Sequence, residues 1–364
     1  MKFDLDAVFV EHGCAGSALA TRVLRALARD VPVTYVADAR EATRPASGAR
    51  DPFGSGKRRM VIALRKTPFL KPCHAGSPRF ACCGYLVLTL ASNCPMDCSY
   101  CFLQEYLADN PAFQAYANFT DSFDELDRLI DNARGRSFRV GTGELADSLA
   151  FDSITSISRD LIDFFASREN LTLELKTKTD EIENLLGLDP RGRVLVSWTL
   201  SPDAVYRSSE HLTASPAARI AAARAVLDAG YRVAFHFDPL IAYPGAERDY
   251  LLLIDELLDT VAPKQISFIS MGGLRMTPRL RGAARSRFPG DPMLCGEDVL
   301  ASDGRFRTFT PLRLNLYRTL AERLRKAGVE IPAYLCMEPA SVHESVFGAA
   351  PSRPATIGER LARG

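Results

Sequence analysis

An α/β fold, built as a partial (β/α)6 barrel of the TIM type behind a small N-terminal α/β unit, is what this sequence predicts from three features. Short apolar runs alternate with amphipathic stretches from Gly84 onward, the pattern of parallel strands joined by right-handed βα units. A smaller βαβ alternation precedes them, Ala7-Val8-Phe9-Val10, then Ser17 to Ala28, then Val33 to Val36. At 364 residues the chain exceeds a typical single domain and suits one barrel with an appended unit. The expected division is 1–80 for the small unit and linker, 81–348 for the barrel with its extension, and 349–364 for a loosely held tail.

The elements follow in order. Pro32 introduces the second strand, and Asp38 to Arg59, rich in Arg, Gly, Ser and Pro, reads as a long surface connection before Met60 to Leu64 resumes strand character. Cys73, His74, Cys82 and Cys83 fall in a loop punctuated by Pro and Gly. Six barrel strands are predicted, at Tyr85 to Leu90, Phe138 to Val140, Leu171 to Leu175, Val194 to Thr199, Val233 to Phe237 and Ile266 to Ile269. Ser122 with Glu125 three residues on reads as a capping box, and Ser215-Pro216 pairs an N-cap with Pro at the first helical position of a helix that Gly230 closes. A later helix from Pro311 to Ala327 and a strand from Ile331 to Leu335 extend the count.

Composition narrows the class. The chain is 47% hydrophobic and 24% charged, enough apolar matter for a large core. With 45 basic and 44 acidic residues the net charge is +1, so any polyanion site has to be local. Acids appear early in Met1-Lys2-Phe3-Asp4-Leu5-Asp6 and no run approaches the ~20 apolar residues of a membrane span. A cytoplasmic enzyme without a membrane partner is expected, and the nine Cys read as ligands and free thiols rather than a disulfide framework.

The chemistry is concentrated at Cys94, Cys98 and Cys101, a C-x3-C-x2-C run just after a strand. A [4Fe-4S] cube usually takes four thiolates, and three within one loop leave one iron open. The amino and carboxylate groups of S-adenosylmethionine suit that open iron. An electron passed to the sulfonium would release a 5′-deoxyadenosyl radical, with the protein supplying placement and exclusion of water. Zinc sites favour two C-x2-C pairs, which these residues do not form, although Cys73, Cys82 and Cys83 would allow a structural zinc site. In Gly141-Thr142-Gly143-Glu144 the glycines let backbone approach a ligand, and Glu144 can accept from an ammonium group. Lys178 and Ser197, at the third and fourth strands, offer a cation and a hydroxyl to a carboxylate and a ribose.

The cysteine run, with Tyr100 before its third Cys and Phe102 after it, resembles the cluster loop of the radical S-adenosylmethionine superfamily. Within that superfamily the chain resembles the spore photoproduct lyase family, whose members repair a thymine-thymine lesion in DNA. The likeness runs over most of the chain. It takes in Val8 to Glu11, Lys57 to Thr67, the cysteine run with Leu103-Gln104, Lys178, Leu185-Leu186, Ser197, Asp228 to Tyr231 and Leu274 to Pro278. It implies a radical-SAM barrel, a [4Fe-4S] cluster, S-adenosylmethionine bound near Gly143 and Glu144, and an external flavodoxin- or ferredoxin-like electron donor.

Two departures stand out. The family Cys that returns a hydrogen atom to the product falls at Gly141, and a relay Tyr falls at Phe102, which has no O–H; Tyr100 matches a family Tyr. Cys336, at the end of the last strand, is the candidate substitute donor, against the alternative of a buried small hydrophobe. Arg275, Arg279, Arg281, Arg285, Arg287, Arg305 and Arg307, interleaved with Phe306 and Phe309, are the candidate DNA contact, against a solvated basic face. Two function classes stay open, a DNA-directed radical lyase and a radical enzyme acting on a peptide, RNA or small metabolite; a non-catalytic metal module is the third.

Overall fold

The computed structural model describes residues 3–45, 48–73, 80, 83–327 and 333–348. The first strands are β1 (Ala7–Glu11), β2 (Val33–Val36), β3 (Arg59–Ala63), β4 (Leu70–Pro72), β5 (Leu86–Leu88), β6 (Ala91–Ser92), β7 (Asp97–Cys98) and β8 (Phe113–Tyr116). Next come β9 (Phe138–Gly141), β10 (Leu171–Thr177), β11 (Val194–Thr199), β12 (Glu210–His211), β13 (Arg232–Leu240) and β14 (Ile266–Gly273). The last are β15 (Arg275–Met276), β16 (Asp298–Leu300), β17 (Phe306–Thr308) and β18 (Ala333–Leu335).

Eight strands form the main sheet, in the order β18-β14-β13-β11-β10-β9-β5-β4. Its neighbours are parallel except β4 and β5. All six residues of β11 are buried, as parallel strands covered on both faces require. Helices Ile157–Ala166 and Pro216–Asp228 pack against β10, β11 and β13. The second is capped by Ser215, whose side chain accepts from the Ala218 amide, with Pro at its first position. The sheet curls without closing. Arg139 of β9 reaches across its interior to the Tyr334 hydroxyl of β18 at 3.4 Å.

A second sheet runs β2-β1-β3-β8-β6. Strand β8, which the sequence reading did not assign, pairs parallel with β3, and β6 pairs antiparallel with β8. The cysteine loop therefore leaves the main sheet after β5 and is anchored on its far side in the smaller sheet.

Two expectations need correction. Ser122 lies inside helix Asp121–Asn132 rather than capping it, and Thr120 is at the N-cap. Glu125 accepts the Phe69 and Leu70 amides at 3.0 and 2.9 Å, because the orphan donors ahead of β4 hold it more effectively than its own helix start. The stretch from Asp38 to Arg59 is more than a surface connection: it holds short helices Arg40–Thr43 and Pro52–Gly56 and buries Phe53 and Lys57. The predicted strand start at Ile331 lies outside the described residues, and the tail 349–364 does too.

Candidate active site

The C-terminal ends of the main-sheet strands surround a cavity of about 790 Å³. Cys94, Cys98 and Cys101 share one wall of it, and Gly143, Glu144, Lys178, Cys336 and Tyr100 also line it.

Buried charge holds the cysteine loop. Lys57 Nζ bonds the Met96 carbonyl at 2.5 Å and lies 3.1 Å from Asp97. Arg287 bridges Asp97 and Asp51 at 3.0 and 2.7 Å. Asn93, at φ 70°, donates to the Pro111 carbonyl and accepts the Cys94 amide at 2.8 Å. Strand β7 pairs antiparallel with β12, setting Cys98 opposite Glu210. Gln104 closes the loop on the Ser99 carbonyl at 2.7 Å.

The donor set suits an iron-sulfur cluster. Burial raises the Cys94 thiol pKa and pushes that of Cys98 up to about 12. Cys98 and Cys101 add to the rise at Cys94, while Lys178 and Lys57 pull Cys98 the opposite way, toward thiolate. Among the described residues no three Cys, His, Asp or Glu converge on a single metal ion. Three thiols from one short segment, all lining the same cavity, are soft donors of the kind an iron-sulfur cluster takes.

The glycine turn after β9 is fastened to β10. Asp147 accepts the amides of Leu149, Ala150 and Lys178 and the Thr177 hydroxyl, all within 3.0 Å. Ser148 accepts from the Lys176 amide at 3.0 Å and from Thr142 at 2.7 Å. A Cβ on Gly143 would stand 2.6 Å from Lys176 Cβ, so only glycine lets the two strand ends lie this close.

The remaining predicted residues divide into two groups. Lys178 Nζ stands 5.3 Å from the centre of the Tyr100 ring and 3.9 Å from Glu210, and Cys98 and Glu210 outweigh burial to keep its pKa raised. Tyr100 donates to Glu210, which also accepts from Ser201 at 2.9 Å and pairs with fully buried Arg219 at 2.6 Å. Cys336 lies 3.8 Å from Arg275, itself paired with Asp238 at 3.1 Å. Ser197 is not on the cavity wall: its hydroxyl donates to Glu174 at 2.8 Å, beneath it. Glu174 also pairs with Arg139 at 3.0 Å and His236 at 2.9 Å.

The arginines expected as a basic face are largely neutralised. Arg307 is buried against Asp303 and Glu338, at 2.6 and 3.6 Å, and Arg275 against Asp238. Arg281 lies 3.8 Å from Asp298 and 4.4 Å from the centre of the Phe306 ring. Arg279 is exposed at the cavity rim, and half-buried Arg305 lines it as well as pairing with Asp303 at 3.3 Å.

Sequence reasoning missed Lys57, Glu174, Glu210, Arg219 and Tyr85. Glu174 alone left a signal, a charge in the middle of the apolar run Leu171-Thr172-Leu173-Glu174-Leu175.

An open α/β barrel thus carries three cysteines, a glycine turn and a lysine at one mouth. The chain belongs to the spore photoproduct lyase family, whose model matches residues 3–289. Spore photoproduct lyase of Geobacillus sp. is 26% identical over 204 residues, 56% of this chain and 60% of that protein. The Clostridium acetobutylicum enzyme is 21% identical over 239 residues, 66% of this chain and 69% of that one. The match to the Bacillus subtilis enzyme, 25% identical over 217 residues, covers 59% of this chain and 60% of that relative. Among solved structures, a spore photoproduct lyase complexed with dinucleoside spore photoproduct superposes with a TM-score of 0.78 at 20% identity, covering 92% of this chain and 99% of that one. A mutant lyase with bound AdoMet and the same dinucleoside also gives 0.78, at 19% identity and the same coverage. Among the described residues no helix is long and apolar enough to cross a membrane.

Proposed function

We propose that this chain is a radical S-adenosylmethionine lyase acting on a thymine-type lesion in DNA. The observation that carries this reading is the shared cavity of Cys94, Cys98, Cys101, Gly143, Glu144 and Lys178. The three cysteines would hold a [4Fe-4S] cluster, and Gly143 with Glu144 the amino end of S-adenosylmethionine. When bound, these groups supply a carbon radical that takes a hydrogen atom from the substrate.

The chain's own residues do the rest. Lys57, Arg287 and β12 keep the cysteine loop in place against solvent, and Asp147 fixes the turn that carries Glu144. Lys178 brings a cation to the wall for a carboxylate. Ser197 acts at one remove, through Glu174, as a positioning group. At the mouth, exposed Phe102 and Tyr106 offer ring faces, and Arg279 and Arg305 offer charge to phosphates. The hydrogen atom that completes the product has to come from the wall. Tyr100 and Cys336 carry O–H and S–H groups there, and Cys336 is the donor the sequence brings forward. Electrons would arrive from a flavodoxin- or ferredoxin-like carrier. The solved lyases bind dinucleoside spore photoproduct, which supports the thymine lesion as substrate.

Glycine at 141 and phenylalanine at 102 favour a second reading, the same chemistry on a peptide, RNA or small metabolite. Anaerobic enzyme given dinucleoside spore photoproduct, with thymine and 5′-deoxyadenosine followed by chromatography, separates the two. Restored thymine supports lesion repair. Cofactor cleavage that the lesion neither stimulates nor turns into thymine supports the second.

A further inference from the structure

Resting on that reading, we propose that Tyr85 and Cys73 together return the hydrogen atom to the product, from the place a side chain at position 141 would fill. A Cβ built on Gly141 would stand 2.0 Å from Tyr85 Oη and 2.6 Å from its Cε2 and Cζ. The phenol therefore occupies the volume that a cysteine there would need.

Tyr85 Oη is buried, and no side chain bonds it. The Arg139 guanidinium lies 5.0 Å from its ring centre, and burial with Glu174 raises its pKa well above the ordinary value against the opposing effects of Arg139 and a hydrogen bond from the Gly143 backbone. Tyr85 is thus a buried O–H group behind Gly143 and against Gly141.

Cys73 connects it to the cavity. The antiparallel register of β4 and β5 sets Pro72 opposite Leu86, and the next pair is bonded from the Cys73 amide to the Tyr85 carbonyl at 3.2 Å. Directly opposed residues put their side chains on the same face, with Cβ atoms roughly 4.5–5.5 Å apart. Cys73 lines the cavity; Tyr85 stands behind it.

The steps balance. The product's carbon radical takes a hydrogen atom from the Cys73 thiol, forming C–H, breaking S–H and leaving a thiyl. The thiyl takes a hydrogen atom from the Tyr85 hydroxyl, re-forming S–H and leaving a phenoxyl radical. One electron from the external low-potential carrier and one proton from water restore the phenol. Cys336, near the opposite edge of the sheet, is the competing donor.

Two experiments test the pair. The first needs no cofactor: thermal unfolding of Gly141→Ala, Tyr85→Ala and the double variant. The double variant should be more stable than the sum of the single losses predicts; strict additivity would overturn the shared volume. The second compares Tyr85→Phe, Cys73→Ala and Cys336→Ala in loaded enzyme, reading 5′-deoxyadenosine formed per thymine restored. The ratio should rise at least about tenfold in the first two variants. Wild-type ratios in both, with the rise confined to Cys336→Ala, would overturn the pair. Wild-type enzyme that carries its cluster and cleaves no cofactor would count against the underlying reading instead, leaving the unfolding result to stand by itself.

Discussion

Glu210 and Cys98 face each other across β7 and β12, so the strand paired with Cys98 also carries the carboxylate that receives the Tyr100 hydrogen bond. Arg219 and Glu210 neutralise each other where neither is exposed. Removing the carboxylate leaves an uncompensated guanidinium in the core. Glu210→Ala should cost about 3–5 kcal/mol, seen as a large fall in the thermal midpoint, while Glu210→Gln, which keeps an acceptor for Tyr100, should retain more iron after reconstitution. Equal iron content in the two variants would show that the carboxylate does not support the loop.

Acid should weaken the fold through His236. Burial depresses its pKa to about 4, while the unfolded chain titrates near 6.5. Between those values the unfolded state binds a proton that the folded state does not, so stability falls as pH drops from 6.5 to 4, by at most about 3 kcal/mol. Glu174, held down to about 2 chiefly by Arg139 and His236 against the opposing effect of burial, adds a further loss below pH 4.5. Denaturant midpoints at pH 7 and pH 5 should differ in the wild type and converge in His236→Gln. An unchanged difference would place the titrating group elsewhere.

Gly143→Ala forces a methyl group to within 2.6 Å of Lys176 Cβ. Separating the two strand ends should cost about 1–3 kcal/mol and weaken S-adenosylmethionine binding in equilibrium dialysis. Retained affinity would mean that the turn does not touch the cofactor.

Lys57→Ala should loosen the cysteine loop, because the Met96 carbonyl loses a buried donor, at about 1–3 kcal/mol. Arg287 still neutralises Asp97 in that variant. The expected signature is faster loss of iron to a chelator with the overall fold kept; an unaltered rate would assign the loop's rigidity to Arg287 and β12.

The elements legible in the sequence were those whose cause is local. The parallel strands announce themselves as apolar runs, and Ser215-Pro216 caps its helix with its own side chain. Cys94, Cys98 and Cys101 lie within one short segment, so their spacing alone marks them as neighbours, although Lys57, Arg287 and β12 hold the loop in place. Long-range partners were hidden. Glu125 reads as half of a capping box until β4 arrives from 55 residues away to claim it. Strand β8 has four residues and little pattern of its own, and only β3 and β6 on either side make it a strand. Arg275 and Arg307 read as basic surface because Asp238, Asp303 and Glu338 come to them only in the fold. Tyr85 was invisible for the same reason: its meaning depends on the missing side chain of Gly141, on another strand.

The central claim, that this cavity runs radical S-adenosylmethionine chemistry, is tested most directly by anaerobic reconstitution of the wild type and Cys98→Ala with iron and sulfide. Each is reduced with dithionite and given S-adenosylmethionine, and 5′-deoxyadenosine is measured. The wild type should bind iron and sulfide and release 5′-deoxyadenosine, and Cys98→Ala should do neither. A fully loaded wild type that leaves S-adenosylmethionine intact, or a Cys98→Ala variant that cleaves it at the wild-type rate, would contradict the assignment.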